Sequence, residues 1–329
     1  MSKIIGRQIE VGVAVEATRG TKEASASHWI KKQNFDLIPQ ASHAIDEMTF
    51  GKIEDSEKRR VTQKWVEGDL SGNVQADAIG YLLYSLFGEV SSTLLGSSVY
   101  EHEFTIGQNI VHPSLSLFRK EGAIDQYVCN GVMVQSLEIS SEQDQYVQYT
   151  ASLIGRDYEA DASAINYVEE YDFIGRDVTV KLASSEAGLA GATAQKLKSV
   201  SVTFEPNTEA NFILGSRNPE DIHNKQFGIT GEFELDYVND DFLSAYNTDD
   251  ANYMLVEIEG EANLGGGNAP KLSFLFNKVQ IMDRSVADQA NDLVQETVSF
   301  KAFYNESDGA MVTSNLVNLT EEYEPNVSA

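Results

Sequence analysis

Residues 71–88, SGNVQADAIGYLLYSLFG, change period in their middle. Val74 and Ala76 alternate with Asn73, Gln75 and Asp77, the rhythm of a half-buried strand. Ile79, Leu82, Leu83, Leu86 and Phe87 instead recur at the three-to-four spacing of a short amphipathic helix. Asp77 stands where an N-cap belongs. The pattern predicts a strand that feeds directly into a helix near 78–87.

The same device recurs. In residues 230–247, TGEFELDYVNDDFLSAYN, Thr230-Gly231 aligns with Ser71-Gly72 at an offset of 159. Phe233 and Leu235 then match Val74 and Ala76, while Phe242, Leu243 and Tyr246 match Leu83, Tyr84 and Phe87. A second recurrence places apolar residues at relative positions one, four and six in VQSLEI (134–139), FNKVQI (276–281) and LKSVSV (197–202). Strict alternation would give one, three and five, so these strands are expected to carry a β-bulge or to cross between two sheets. Alternating runs, YVQYTASLIG (146–155) and VQETVSFKAFY (294–304), follow the first two, with the Gln, Thr, Ser and Lys content of exposed antiparallel strands. Three elements repeated in one order predict internal duplication.

The expected layout is an N-terminal arm (1–34), a first unit (35–158), a connector with the start of a second unit (159–196), and a second unit with a C-terminal tail (197–329). The arm, with its EATRGTKEASAS run, has too few apolar residues to form a core alone. Each unit is mainly β with one short helix, which predicts a β-sandwich or partly open barrel whose open strands can pair with another subunit.

Composition narrows the function. The chain has 329 residues, of which 42% are hydrophobic and 9% aromatic, enough for real cores. No run approaches a membrane span and no N-terminal segment reads as a signal peptide, so the sequons at Asn305, Asn318 and Asn326 carry little weight. One cysteine, Cys129, excludes an intrachain disulfide and a thiolate-rich zinc site. The histidines at 28, 43, 102, 112 and 223 lack metal spacing, and HExxH, GxSxG and P-loop motifs are absent. No catalytic residue, cofactor or metal is expected. Asp46, Glu47, Asp240 and Asp241 would act as paired carboxylates only if two converged across a cleft, and neighbours on a strand point apart. Net charge is −27, from 51 acidic against 24 basic residues, the opposite of a phosphate-gripping footprint. It suits either simple solubility or a wall that DNA must slide past.

At this point the sequence resembles the major tail tube proteins of bacteriophages with long non-contractile tails. GVAVEATRGTKEASASHWIK (12–31) resembles the family's opening arm. EGDLSGNVQADAIGYLLYSLFG (67–88) is similar to its first strand and helix, and PKLSFLFNKVQI (270–281) with ETVSFKAFYN (296–305) to its closing hairpin. The resemblance implies a structural virion protein that self-assembles into stacked rings, forming the tail tube through which the genome is ejected. It implies partners at the tube ends and inside, namely tail terminator, tail tip and tape measure proteins. The expected localisation is the phage tail, after assembly in the host cytoplasm, with DNA passing through unbound. Many members have one tube domain and form hexamers. A duplicated chain predicts trimers with pseudo-sixfold rings, with hexamers as the alternative. A β-sandwich carbohydrate-binding module or adhesin is the rival reading.

In such a tube, Arg59, Arg60 and Lys64 would meet an acidic rim of the next ring, or else form a solvated strand end. Trp29 would anchor on an adjacent subunit or pack on its own domain. Arg156 and Arg176, each followed by aspartate, are candidate interface ion pairs or ordinary neighbours.

Overall fold

The computed structural model describes residues 3–49, 51–248, 250–287, 290 and 293–325. The sequon at Asn326 and the last residues of the expected tail lie outside them. The fold is mainly β with short helices. The strand Arg59–Asn73 leads into the helix Ala78–Phe87, all ten residues of which are buried, and Gly88 ends it in the left-handed region at φ 93°. Asp77 occupies the N-cap position, but its side chain makes no capping bond. Glu170 from the connector does that work, accepting the Asp77 and Ala78 backbone N–H groups at 2.9 Å each. A carboxylate there meets the unpaired donors and positive end of the helix. The second helix, Asp241–Asn247, has no buried residue and touches the sheet through Phe242, edge-on to Phe233 at 5.2 Å. The strand-to-helix device is thus used twice, and only the first helix is enclosed.

Strand pairing follows one order in both halves. In the N-terminal half, Ile9–Val15 pairs with Leu115–Glu121, which pairs with the start of Asp125–Glu142. The end of that 18-residue strand pairs with Gln148–Gly155, which pairs with Arg59–Asn73, which pairs in turn with Asn34–Phe35 and Ile38–Ile45. In the C-terminal half, Val178–Ala183 pairs with Asn252–Glu259, and this with the start of Lys271–Ala287. The end of Lys271–Ala287 pairs with Gln295–Ala302, then Gly228–Asp236, then Leu197–Glu205. The two long strands are where the one-four-six spacing was read. Asp125–Glu142 passes from one sheet to another and Lys271–Ala287 changes partners along its length, with register shifts at Ser152/Leu153 and Ile281/Asp283, and Leu197–Glu205 carries one at Leu197/Ser199. Gly131, at φ 60°, makes the crossing. It is a conformation that costs an L side chain roughly 1–2 kcal/mol.

Several segments differ from expectation. Residues 9–15 lie within the expected arm, yet they form a strand, because IEVGVAV alternates and Val11 and Val13 become fully buried against Leu115–Glu121. The connector holds the strand Val178–Ala183, whose alternation is too short to stand out without its partner. A hairpin of Gly88–Gly96 and Val99–Ile106 reaches from the first half to pair with Val312–Asn318 of the second. The halves are also joined where Leu137–Glu142 pairs with Ser199–Phe204. One core cluster accordingly runs from Val11 to Tyr323.

Candidate functional site

The large sheet has one apolar and one polar face, and its register shows why. Leu70, Ala151, Leu137, Phe204 and Ile229 lie side by side across five strands and are fully buried. One residue along each strand the side chains point the other way, giving the row Ser71, Thr150, Glu138, Thr203, Thr230, Lys301 and Gln280. The next row of that face runs Asn73, Gln148, Ser140, Ser201, Glu232 and Ser299, ending on Asp283. This is a continuous wall of hydroxyls, amides and carboxylates, and its hydroxyls hold the acids in place. Ser152 donates to Asp69 at 2.6 Å and Ser299 to Glu232 at 3.2 Å.

The wall has two open ends among the described residues. At one end, the outer part of Lys271–Ala287 pairs only with Gln295–Ala302. At the other, Asn34–Phe35 and Ile38–Ile45 pair only with Arg59–Asn73. Between them, the joint of Leu137–Glu142 with Ser199–Phe204 is the same kind of contact already made inside the chain. Residues 206–227 strengthen that joint by leaving the C-terminal half and lying on the N-terminal one. There Ile222 packs with Met133 and Ile154, and Phe212 stands edge-on to Trp65 at 6.1 Å. The Arg19 guanidinium meets Asp221 at 2.7 Å and donates to the carbonyls of His112 and Ile222.

The site residues read from the sequence scatter around this frame. Trp29 is 3% exposed and buried on its own chain against Ala14, Phe118 and Val128. Arg156 donates from Nε to the Pro219 carbonyl at 3.0 Å, linking the two halves of one chain. Arg176 reaches Glu261 at 2.7 Å, with both side chains largely exposed. Arg59 and Arg60 open their strand on the surface, and the Lys64 backbone N–H donates to the Arg217 carbonyl at 2.8 Å. Among the described residues none of these last three side chains joins an ion pair.

The acidic candidates stay apart. Asp46 lies in one half with Lys58 at 3.3 Å, and a hydrogen bond from the Met48 N–H, ahead of that lysine, holds its carboxyl below the usual range. Asp240 and Asp241 lie in the other half, bonded to Tyr237 and Asn239. No group of three metal-ligating side chains occurs among the described residues. Burial pushes the Cys129 thiol up to about 12, which leaves it inert. Burial also raises Glu16, a carboxylate that ties Ser114, Ser116, Gly20 and Gly131 together at the sheet crossing. Glu16 and Glu170 were missed in the sequence, since nothing in their neighbours marks a buried acid. A repeated turn was also missed and was legible: IGRQ at 5–8 and IGRD at 174–177 each form a short turn. In each, the fourth side chain accepts the first residue's N–H, at 3.0 and 3.1 Å.

A comparison with curated proteins finds no match. A family model described as phage tail tube protein matches residues 6–302, which takes in both halves and both open ends. Proteins of that family oligomerise into rings that form tubes. A polar sheet wall with open edges fits that task, and the carbohydrate-binding alternative finds no support. The chain therefore belongs to the phage tail tube protein family, and it is a structural protein of the virion tail rather than an enzyme.

Proposed function

We propose that the chain is two tube units in tandem, one ending at the strand Asp157–Ala160 and the other beginning at the turn Gly175–Asp177, and that three chains close a pseudo-sixfold ring. One observation carries this reading: the two strands that meet at the joint between the halves are the counterparts, by pairing order, of the two strands left at the chain's open ends. By register, Phe35 corresponds to Phe204 and Val279 to Leu137. A neighbouring copy then sets the chain just before Phe35 along the outer part of Lys271–Ala287, with Lys32 opposite Asp283. Such head-to-tail contacts close into a ring when the rotation permits. Linking two units in one chain also removes part of the cost of bringing them together.

In the closed ring the polar rows form the wall of the bore. Duplex DNA carries one negative charge per roughly 1.7 Å of axis, and a lysine-lined bore would grip it cumulatively. The rows named above hold Glu138, Glu232 and Asp283 against Lys301, so the wall repels phosphate, and DNA passes without specific binding. Arg59, Arg60, Lys64 and Arg176 are left for contacts between chains, within or between rings, where local complementarity must offset the repulsion of acidic chains. Trp29 and Arg156 serve within the chain. Rings stack in the host cytoplasm, and terminator, tip and tape measure proteins meet the tube at its ends and along its bore. End-on class averages of purified tubes test the ring: threefold symmetry at domain-resolving detail is expected, and true sixfold symmetry rejects the trimer.

A further inference from the structure

The C-terminal half holds the N-terminal half with an arm, and the N-terminal half owns a corresponding arm whose large apolar side chains are left exposed. Strand register sets the correspondence. Phe35 faces Leu70 as Phe204 faces Ile229, so the chain between each pair, residues 36–69 and 205–228, is the same excursion from the sheet. In the C-terminal arm Ile222 is 1% exposed, seated on Met133 and Ile154. In the N-terminal arm Ile38, Ile45, Met48 and Ile53 are all exposed, Ile53 completely. Beyond Val66 this arm is two strands paired with each other, Ile38–Ile45 and the start of Arg59–Asn73, and among the described residues the C-terminal arm meets it only at its base, where the Lys64 N–H donates to the Arg217 carbonyl and Phe212 touches Trp65. A lone two-stranded hairpin is marginal in water, and its bare isoleucines mark a contact surface.

The face it fits is found by the same register. The C-terminal arm covers Met133, Ile154 and Trp65. The matching positions in the C-terminal half are Leu275, Asn305 and Asn224, and Asn224 lines an open depression of about 320 Å³ together with Lys225, Tyr304, the residue before Asn305, and Met311. Tyr304 there is 55% exposed. The arm stands at the opposite end of the sheet from this depression, so a chain does not fill its own. We infer that, within the ring proposed above and resting on that reading, the 38–67 hairpin of each protomer clasps the Tyr304 face of the next protomer, as residues 206–227 clasp the N-terminal half inside one chain. The occupant is a second copy of this chain, in the same ring.

Cysteine cross-linking tests it, since the native Cys129 is buried. Tubes of the Ala41→Cys, Tyr304→Cys double variant are treated with a short bis-maleimide. Asp157→Cys with Asn218→Cys, whose native side chains are hydrogen-bonded in one chain, serves as the internal control. The expected result is a covalent product that closes at the number of chains microscopy counts in one ring, absent from either single variant. Tubes in which the control closes but the 41–304 pair does not would overturn the clasp alone. A ladder extending past one ring would also overturn it, by moving the arm to the ring-to-ring contact. If the unmodified protein forms neither rings nor tubes, the tube reading itself fails before any cross-linker is added, and the clasp falls with it.

Discussion

Tyr323 shows how much one side chain carries. It is fully buried, donates its hydroxyl to the Asp77 carbonyl at 2.8 Å and accepts from Asn318 at 2.6 Å, so the C-terminal segment is pinned to the start of the enclosed helix. Its ring occupies the space over Gly80, where an added Cβ would lie 2.0 Å from Cζ. Gly80→Ala is therefore expected to displace the ring and cost the folded chain about 1–3 kcal/mol, the usual range for overpacking. Denaturant melts of the monomer would check this. An unchanged midpoint would mean that Tyr323 does not hold the helix. The requirement for glycine is invisible in YLLYSLFG, where Gly80 looks only like a weak helix former. Its partner lies 243 residues away in sequence, as the numbering of Gly80 and Tyr323 shows.

Among elements, the edges matter more than the core. The outer part of Lys271–Ala287 presents Met282 and Asp283 exposed, and the chain before Phe35 carries Lys32, half-buried, at the position that faces Asp283 by register. An uncovered edge is a template for pairing, and charges on it choose the partner. Exposed opposite charges contribute about 0.2–1 kcal/mol per pair, and reversing one replaces attraction with repulsion. Lys32→Glu is expected to raise the concentration needed for tube formation several-fold while leaving the monomer folded. Asp283→Lys in the same chain should restore it. Light scattering against concentration measures both. Failure of the second change to rescue the first would place these residues on different contacts.

At the scale of the whole molecule, a net charge of −27 opposes stacking. Screening reaches about 10 Å at 0.1 M salt and about 30 Å at 0.01 M, so repulsion between rings grows as salt is removed. Sedimentation should show tube mass falling between these two conditions. Neutralising Arg59, Arg60 and Lys64 together should lower it further without creating affinity for duplex DNA. Stronger assembly at low salt, or salt-sensitive DNA binding by the free chain, would contradict a repelling wall.

Local pattern was enough to place the enclosed helix at Ala78–Phe87 and to mark the two long strands, because period and bulge spacing are written in consecutive residues. It also determined the polar wall, since alternation in 146–155 and 294–304 forces one face of each strand to be Ser, Thr, Gln or Lys. Ile9–Val15, Val178–Ala183 and Val312–Asn318 became clear only in three dimensions. Each is short and gains its burial from a strand distant in sequence. The cap from Glu170, the seat of Tyr323 on Gly80 and the inward place of Trp29 were likewise decided by tertiary structure. A side chain's partner across the core depends on how sheets stack, and no run of neighbouring residues records that.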